Sequence, residues 1–336
     1  MGRAVNGWLL ARVLRDPDCV ARFDAEDWNA VIAIARAEQM IGTLSFRLEG
    51  VAVPAQVARI LDDARMSAVQ GQIVALWEAE AARRVLALVG ERLVLLKGTA
   101  FAAAGMRAGI GRSIGDLDIL VPRDRIAVVE AALLEAGWEW VKPDPYDDAY
   151  YRQWMHELPP LIHRERDRMI DVHHTILPTT ARIKPDPAAL LADAVELAPG
   201  ISGLCPNDML VHAAAHLFAD GDLAGGMRNL WDVQCLVGQF GTHGLAARAS
   251  HHGLGREVAR ALRLAEALYG DAKRVTLIDR LYLFRITARD GWGRPGRPVT
   301  RMAFYVRSHW LRMPPGLLAR HLWTKWRKGG AGPGSG

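Results

Sequence analysis

Apolar residues recur along this chain with two different periods, and the change of period marks out three regions. From the start to about residue 88 the spacing is helical. Leu9, Leu10, Val13 and Leu14 form one apolar face. Trp28, Val31, Ile32 and Ile34 begin another behind the acidic Asp24-Ala25-Glu26-Asp27. Pro54 punctuates, and Val57 to Leu88, rich in Ala, Leu and Arg, predicts a long helix of good propensity.

The period then shortens. Leu93-Val94-Leu95-Leu96 is a continuous apolar run bounded by charge, the pattern of a buried strand. Lys97-Gly98-Thr99 reads as a turn, with Thr99 capping a short helix from Ala100 to Met106. A loop carrying Gly105, Gly109, Gly111, Arg107 and Arg112 leads to a second strand, Asp116 to Val121, stopped by Pro122. Asp124 to Ala136 predicts an amphipathic helix closed by Gly137, and Trp138 to Val141 a strand. Lys142 to Asp148 reads as a polar loop. Leu161 to His163 and Met169 to Ile176 then predict a hairpin around Glu165 to Arg168.

Helical spacing returns after a Pro-punctuated stretch. Asn207 is placed to cap a helix from Asp208 to Ala219, and Met227 to Gln239 predicts another. Beyond residue 250 the chain reads as helical and basic. Arg301 to Lys328 mixes Trp310, Trp323 and Trp326 with bases; Pro314-Pro315 interrupts any long amphipathic face, which favours a cap on the bundle over an anionic surface. The predicted fold class is therefore α/β (α+β), a small mixed sheet flanked by helical domains. The divisions are a helical region 1–88, a core 89–180, a linker with a helix 181–204, a helical domain 205–328 and a flexible tail 329–336.

Composition narrows the partners. The 336 residues are half hydrophobic, enough for two or three packed units, and the formal charge is +5 with a pI near 9.3. That mild excess suits a polyanionic ligand; nucleic acid is compatible with it but not indicated. Cys19, Cys205 and Cys235 lie far apart without metal-ligand spacing, which predicts a reducing, cytoplasmic setting. The first apolar run is broken by Arg12 and Arg15, Asn6 stands where a myristoylation motif needs Ser or Thr, and no transmembrane segment is expected.

The chemistry lies in the middle region. Alternation sets Asp116 and Asp118 on one face of their strand and Leu117, Ile119 and Val121 on the other. Two carboxylates one pleat apart suit hard divalent cations, and the Gly98 turn offers N–H groups at a helix start to a phosphate. Lys97 directly precedes it in a chain that otherwise writes its bases mostly as Arg. On the later strand Asp171 and His173 share a face opposite Ile170 and Val172. The plain alternatives are solvated strand ends. His156 and His163 are weaker candidates. His212 and His216, one turn apart, lack the Glu of H-E-x-x-H because Ala213 fills its place.

The order strand, Gly turn, helix, then Asp-Leu-Asp-Ile-Leu resembles the nucleotidyltransferases related to DNA polymerase β. LLKGTA followed by GRSIGDLDILV is similar to a bacterial family of uncharacterised nucleotidyltransferases within that superfamily, over roughly residues 90 to 240. Two departures stand out: Lys97-Gly98-Thr99 replaces the usual Gly-Ser or Gly-Gly, and the Gly/Arg loop is longer.

The resemblance implies a metal-dependent enzyme moving a nucleoside monophosphate from an NTP, such as ATP, to an unidentified small molecule, peptide, protein or RNA, with pyrophosphate release. It implies Mg2+ or Mn2+ on Asp116, Asp118 and a third acid, Asp171, as metal and catalytic residues. It also implies NTP contacts from Lys97, Gly98, Thr99, Arg112 and Ser113, with His173 as a candidate substrate contact. One alternative is a catalytically silent nucleotide- or partner-binding module, antitoxin-like or regulatory. Another is a metal phosphohydrolase using His173, His174, His212, His216 and Asp232.

Overall fold

The computed structural model describes residues 6–141, 145–271, 275–312 and Gly316. The first region folds as its spacing dictates. Trp8–Arg15 (α1), Ala25–Ala37 (α2) and Ile41–Arg47 (α3) bury their apolar faces, and Asp24 caps α2 by accepting the Asp27 N–H. Ala55–Leu88 (α4) is one helix of 34 residues. Its buried stripe begins at Val57 and Leu61, on the helical side, and ends at Ala79, Ala82 and Leu86, against the sheet. One helix thus spans both cores.

Seven strands make one mixed sheet in the order β3-β4-β5-β2-β1-β7-β6. They are Leu93–Leu95 (β1), Asp116–Leu120 (β2), Trp138–Trp140 (β3), Leu161–His163 (β4), Met169–His173 (β5), Val195–Ala198 (β6) and Ile201–Gly203 (β7). β1 and β2 are antiparallel, whereas β2 and β5 run parallel at the centre. Lys97–Ala103 (α5) follows β1, Ile126–Glu135 (α6) follows β2, and Pro145–Trp154 (α7) follows β3.

Alternation divides the sheet between two cores. Leu93, Leu95, Leu117, Ile119, Val121, Ile170 and Val172 pack on α4 and on Val129 and Leu133 of α6. Val94, Leu96 and Leu120 face the larger core. That core unites the first helices with those that come after β5: Pro187–Ala192 (α8), Pro206–Ala215 (α9), Gly226–Phe240 (α10), Leu245–His251 (α11), Gly255–Tyr269 (α12), Leu277–Ile286 (α13) and Pro298–Arg312 (α14). Leu10 and Ile34 are buried in it with Phe218 and Leu264, so helices from both ends of the chain share one interior.

Several local expectations change. The helix after β1 begins at Lys97, whose φ is +49°, and no side chain caps it; Thr99 is buried inside its first turn. Asn207 does not cap α9 either, because its amide donates to the His243 carbonyl, and the helix ends in a π-turn from His216 to Asp220. The expected polar loop is helical from Pro145 on: proline suits a first turn, and Arg152 grips Asp148 one turn back. Residues 142–144 of that loop lie outside the described residues, as do Pro314-Pro315, Trp323, Trp326 and the expected tail. The linker 181–204 contains not only a helix but the hairpin β6–β7, whose second strand pairs parallel with β1. Among the described residues no helix is long and apolar enough to cross a membrane.

Candidate active site

The geometry of the site follows from one register. β2 and β5 pair in parallel with Asp118 opposite Asp171 and Asp116 opposite Met169. Neighbouring strands lie about 4.8 Å apart, so in-register residues present their side chains together on one face. The other face of the same strands is anchored by Leu117, Ile119, Ile170 and Val172. A slip of one residue would bury the acids and expose that core, which fixes the register. Ligand oxygens of Asp116, Asp118 and Asp171 lie within 4.8 Å of one another. Asp116 reaches the surface, Asp171 is half-buried and Asp118 is buried.

These three acids differ in their counter-charge. Lys97 Nζ lies 2.7 Å from Asp118 Oδ1, and His173 Nε2 lies 2.9 Å from the same oxygen. Burial alone would raise Asp118; Lys97 and His173 outweigh it and hold the carboxyl well below its usual range. Lys97 is correspondingly raised, since Asp118, Asp116 and Glu157 overcome its own desolvation. Asp116 is raised, by desolvation first and by the Asp118 charge second. Asp171 is pushed up to about 7 by burial, then by Glu157 and Asp118. Its Oδ1 is buried without a hydrogen-bond partner among the described residues.

The expected phosphate-binding residues disperse. Only Lys97 joins the acids. Gly98 lies under Arg112: a Cβ there would stand 2.5 Å from Arg112 Nε, so a side chain at 98 would displace the Arg112 guanidinium. Arg112 Nη1 is ion-paired to Asp232 of α10 and its guanidinium lies 5.7 Å from the Phe101 ring centroid. Ser113 points the other way, into a cleft with Gly42, Ser67 and Gly71.

The histidines sort by place. His173, two residues beyond Asp171 on the same face, also brings Nδ1 to 3.3 Å from Glu157 Oε2. His156 stacks at 5.2 Å from it, tilted. His174 is buried and lowered to about 4 by burial and Arg123. His163 packs edge-on against Trp138, away from the acids. His212 and His216 line a cavity with Lys97, Arg112, Asn229 and Asp232, between the sheet and the helices after it. Those histidines and Asp232 do not join His173 in a metal-sized cluster among the described residues.

Glu157 is the residue that sequence reasoning missed. The segment Met155 to Leu158 returns antiparallel to β5, bridging Glu157 to His173, with the His174 N–H donating to the His156 carbonyl. The available signal was the adjacency of His156 and Glu157 just before Pro159-Pro160, which ends one strand segment before β4.

The donor set fits a hard cation. It is all carboxylate oxygen, close-set, with one orphaned buried oxygen, which suits Mg2+ or Mn2+ better than a soft ion. No curated protein matches the chain. Residues 24–270, well over half of it, match the family described as "Uncharacterised nucleotidyltransferase". The chain belongs to that family of uncharacterised nucleotidyltransferases.

Proposed function

We propose that the protein transfers a nucleoside monophosphate from an NTP to an acceptor, releasing pyrophosphate, in the manner of the DNA polymerase β superfamily. The observation that carries this reading is the convergence of Asp116, Asp118 and Asp171 on one strand pair, with a buried oxygen of Asp171 unpartnered. These three residues would hold Mg2+ or Mn2+, which when bound supplies charge neutralisation of the triphosphate and activation of the acceptor oxygen. Lys97 holds the Asp118 charge and, on its flexible stem, is the group to turn toward the triphosphate. Asp171, the acid on the neighbouring strand, is placed to serve the ion that activates the acceptor oxygen and is the candidate to take its proton. Gly98 and Arg112 shape the turn, and Thr99 packs beneath it.

The reading assigns donor and metal to residues 89–180 and the acceptor to the helical half after residue 205. What supports this division is the cavity where Lys97 and Arg112 meet His212, His216 and Asn229. The experiment is incubation with each α-labelled NTP, Mg2+ or Mn2+ and a cell extract, beside Asp116→Asn and Asp118→Asn. Label should move to an acceptor with pyrophosphate release, and both variants should be inactive. Phosphate release instead would sink the transferase reading in favour of hydrolysis. Nucleotide binding indifferent to both substitutions would remove the site altogether.

A further inference from the structure

Behind the carboxylates lies a second cluster of different chemistry. Ligand atoms of His156, Glu157 and His173 also lie within 4.8 Å of one another. Glu157 Oε2 is 3.3 Å from His173 Nδ1 and 3.6 Å from His156 Nε2. A tetrahedral ion with ligand bonds of about 2.1 Å separates its ligands by about 3.4 Å. Two of the three edges of such a site are therefore already formed.

Hydrogen bonding leaves a gap there that a cation fills. A neutral imidazole has one N–H, and His173 faces a carboxylate at each nitrogen: Asp118 at Nε2 and Glu157 at Nδ1. With the proton on the Asp118 side, a lone pair points at the Glu157 oxygen. Among the described residues Nδ1 of His173, a residue 1 % exposed, has no hydrogen-bond partner; in His156 the nitrogen without one is Nδ1, on the far side of the ring from the Nε2 that faces Glu157. Each such orphan costs roughly 1–3 kcal/mol. A second proton on His173 would answer Glu157 but gives no reason for a second imidazole at 5.2 Å. A metal ion between His173 Nδ1, His156 Nε2 and Glu157 Oε2 accounts for the grouping of the three side chains and for the unpartnered His173 nitrogen.

We infer that His156, Glu157 and His173 form a binding site for a Zn2+-class transition-metal ion, separate from the carboxylate triad and joined to it through His173. Two imidazoles and one carboxylate, with a position left for water, are borderline ligands suited to Zn2+ and poorly suited to Mg2+. The His173 Nε2–H then donates to Asp118, the arrangement by which a ligand histidine is oriented by a carboxylate behind it. Here the acid that orients the histidine also belongs to the triad, so the ion stiffens Asp118. His156 and Glu157 are positioning residues for that acid. His156 is held neutral, well below its ordinary value, chiefly by burial, as ligation requires.

The inference is independent of transferase activity and is tested by metal binding. Protein stripped with a chelator is titrated with Co2+ in excess Mg2+, reading the visible absorption of four- or five-coordinate Co2+. One equivalent should bind and be displaced by Zn2+. Glu157→Gln and His156→Ala should weaken it by more than the roughly 10–100-fold that loss of a supporting residue costs. Asp116→Asn should leave the band unchanged, and circular dichroism should show each variant folded. Wild-type protein that takes up no Co2+ under Mg2+ overturns the inference without any variant. So does a band lost in Asp116→Asn and kept in Glu157→Gln, which would place the ion among the carboxylates.

Discussion

Acids at two places in this molecule carry opposite arrangements of counter-charge. Asp208, in the first turn of α9, is fully buried, and the Arg248 fork donates to both its oxygens at 2.6 and 2.5 Å. His252 stands at 3.3 Å and the Cys205 thiol donates at 3.4 Å. Burial would raise this carboxyl; His252 and Arg248 hold it below the usual range. Arg248 also binds the Ala189 carbonyl, tying α8, α9 and α11 together. At the sheet, by contrast, three carboxylates share one lysine and one histidine; among the described residues no guanidinium reaches Asp118, and one oxygen of Asp171 is orphaned. A buried acid met by a planar fork is complete and stabilises the structure. A set left short of positive charge is poised for a ligand that brings it.

The contrast is broken most directly by neutralising an acid at the sheet and by removing the base that completes the acid at α9. Asp118→Asn should lower NTP transfer by roughly 10²–10³-fold or more while the protein stays folded. Its initial rate with α-labelled NTP and its thermal midpoint measure both halves. A variant that transfers normally removes the functional member of the pair.

Arg248→Ala should do the reverse, costing about 3–5 kcal/mol because Asp208 keeps a buried charge without its fork. Urea unfolding measures the loss, and transfer per folded molecule should not change. Unaltered stability would mean that the fork is ornamental and that the two acid groups do not differ in kind.

A pH series sharpens the same point. Asp171 has its carboxyl raised to about 7, far above an unfolded aspartate, so the folded state binds the extra proton. Its ionisation therefore costs stability progressively as pH rises from about 4 to 7, and the full cost remains above that. Asp171→Asn removes the charge. In chelator it should raise the thermal midpoint at pH 8 by a few degrees, about 1 kcal/mol or more, and change little at pH 4. Saturating Mg2+ should narrow the gap by stabilising the wild type. An equal difference at both pH values would show that Asp171 carries no strained charge.

How much of this could be read beforehand depends on how local each feature is. Asp116-Leu117-Asp118-Ile119 states its own two faces, and Asp171-Val172-His173 does the same, so the triad was legible once two strands were assumed to pair. The hairpin β6–β7 was not: its strands are 4 and 3 residues long, Pro199-Gly200 reads as linker, and its partner β1 lies a hundred residues earlier. Glu157 was hidden for the same reason, since its neighbours on β5 are reached only after the chain reverses beyond Pro159-Pro160. Thr99 and Asn207 carried cap chemistry, but the helices started elsewhere because Lys97 and Pro206 set the turns. The partner of Lys97 was invisible for a further reason. Lysine before a turn predicts a charge near phosphate, whereas in the fold that charge lies against Asp118, twenty-one residues on.

The smallest expected effects concern two neighbours, Arg112 and Ser113, which the sequence treated alike. In the structure they part: Arg112 is four-fifths or more buried and pairs with one oxygen of Asp232, while Ser113 opens to the cleft beside α3 and α4. Asp232 would retain Arg228, 3.6 Å away on its own helix, after loss of Arg112. Arg112→Ala should therefore cost about 1–3 kcal/mol rather than the larger loss expected at Arg248, and it should weaken Mg2+-NTP binding through the loosened Gly98 turn. Ser113→Ala removes an exposed hydroxyl and should stay within about 0.5 kcal/mol of wild type. Its NTP affinity, measured by calorimetry, should be unchanged. If Ser113→Ala weakens nucleotide binding as much as Arg112→Ala does, the loop turns over when nucleotide arrives. The Arg112–Asp232 pair would then belong with the unfinished acids of the sheet and not with the completed ones at α9.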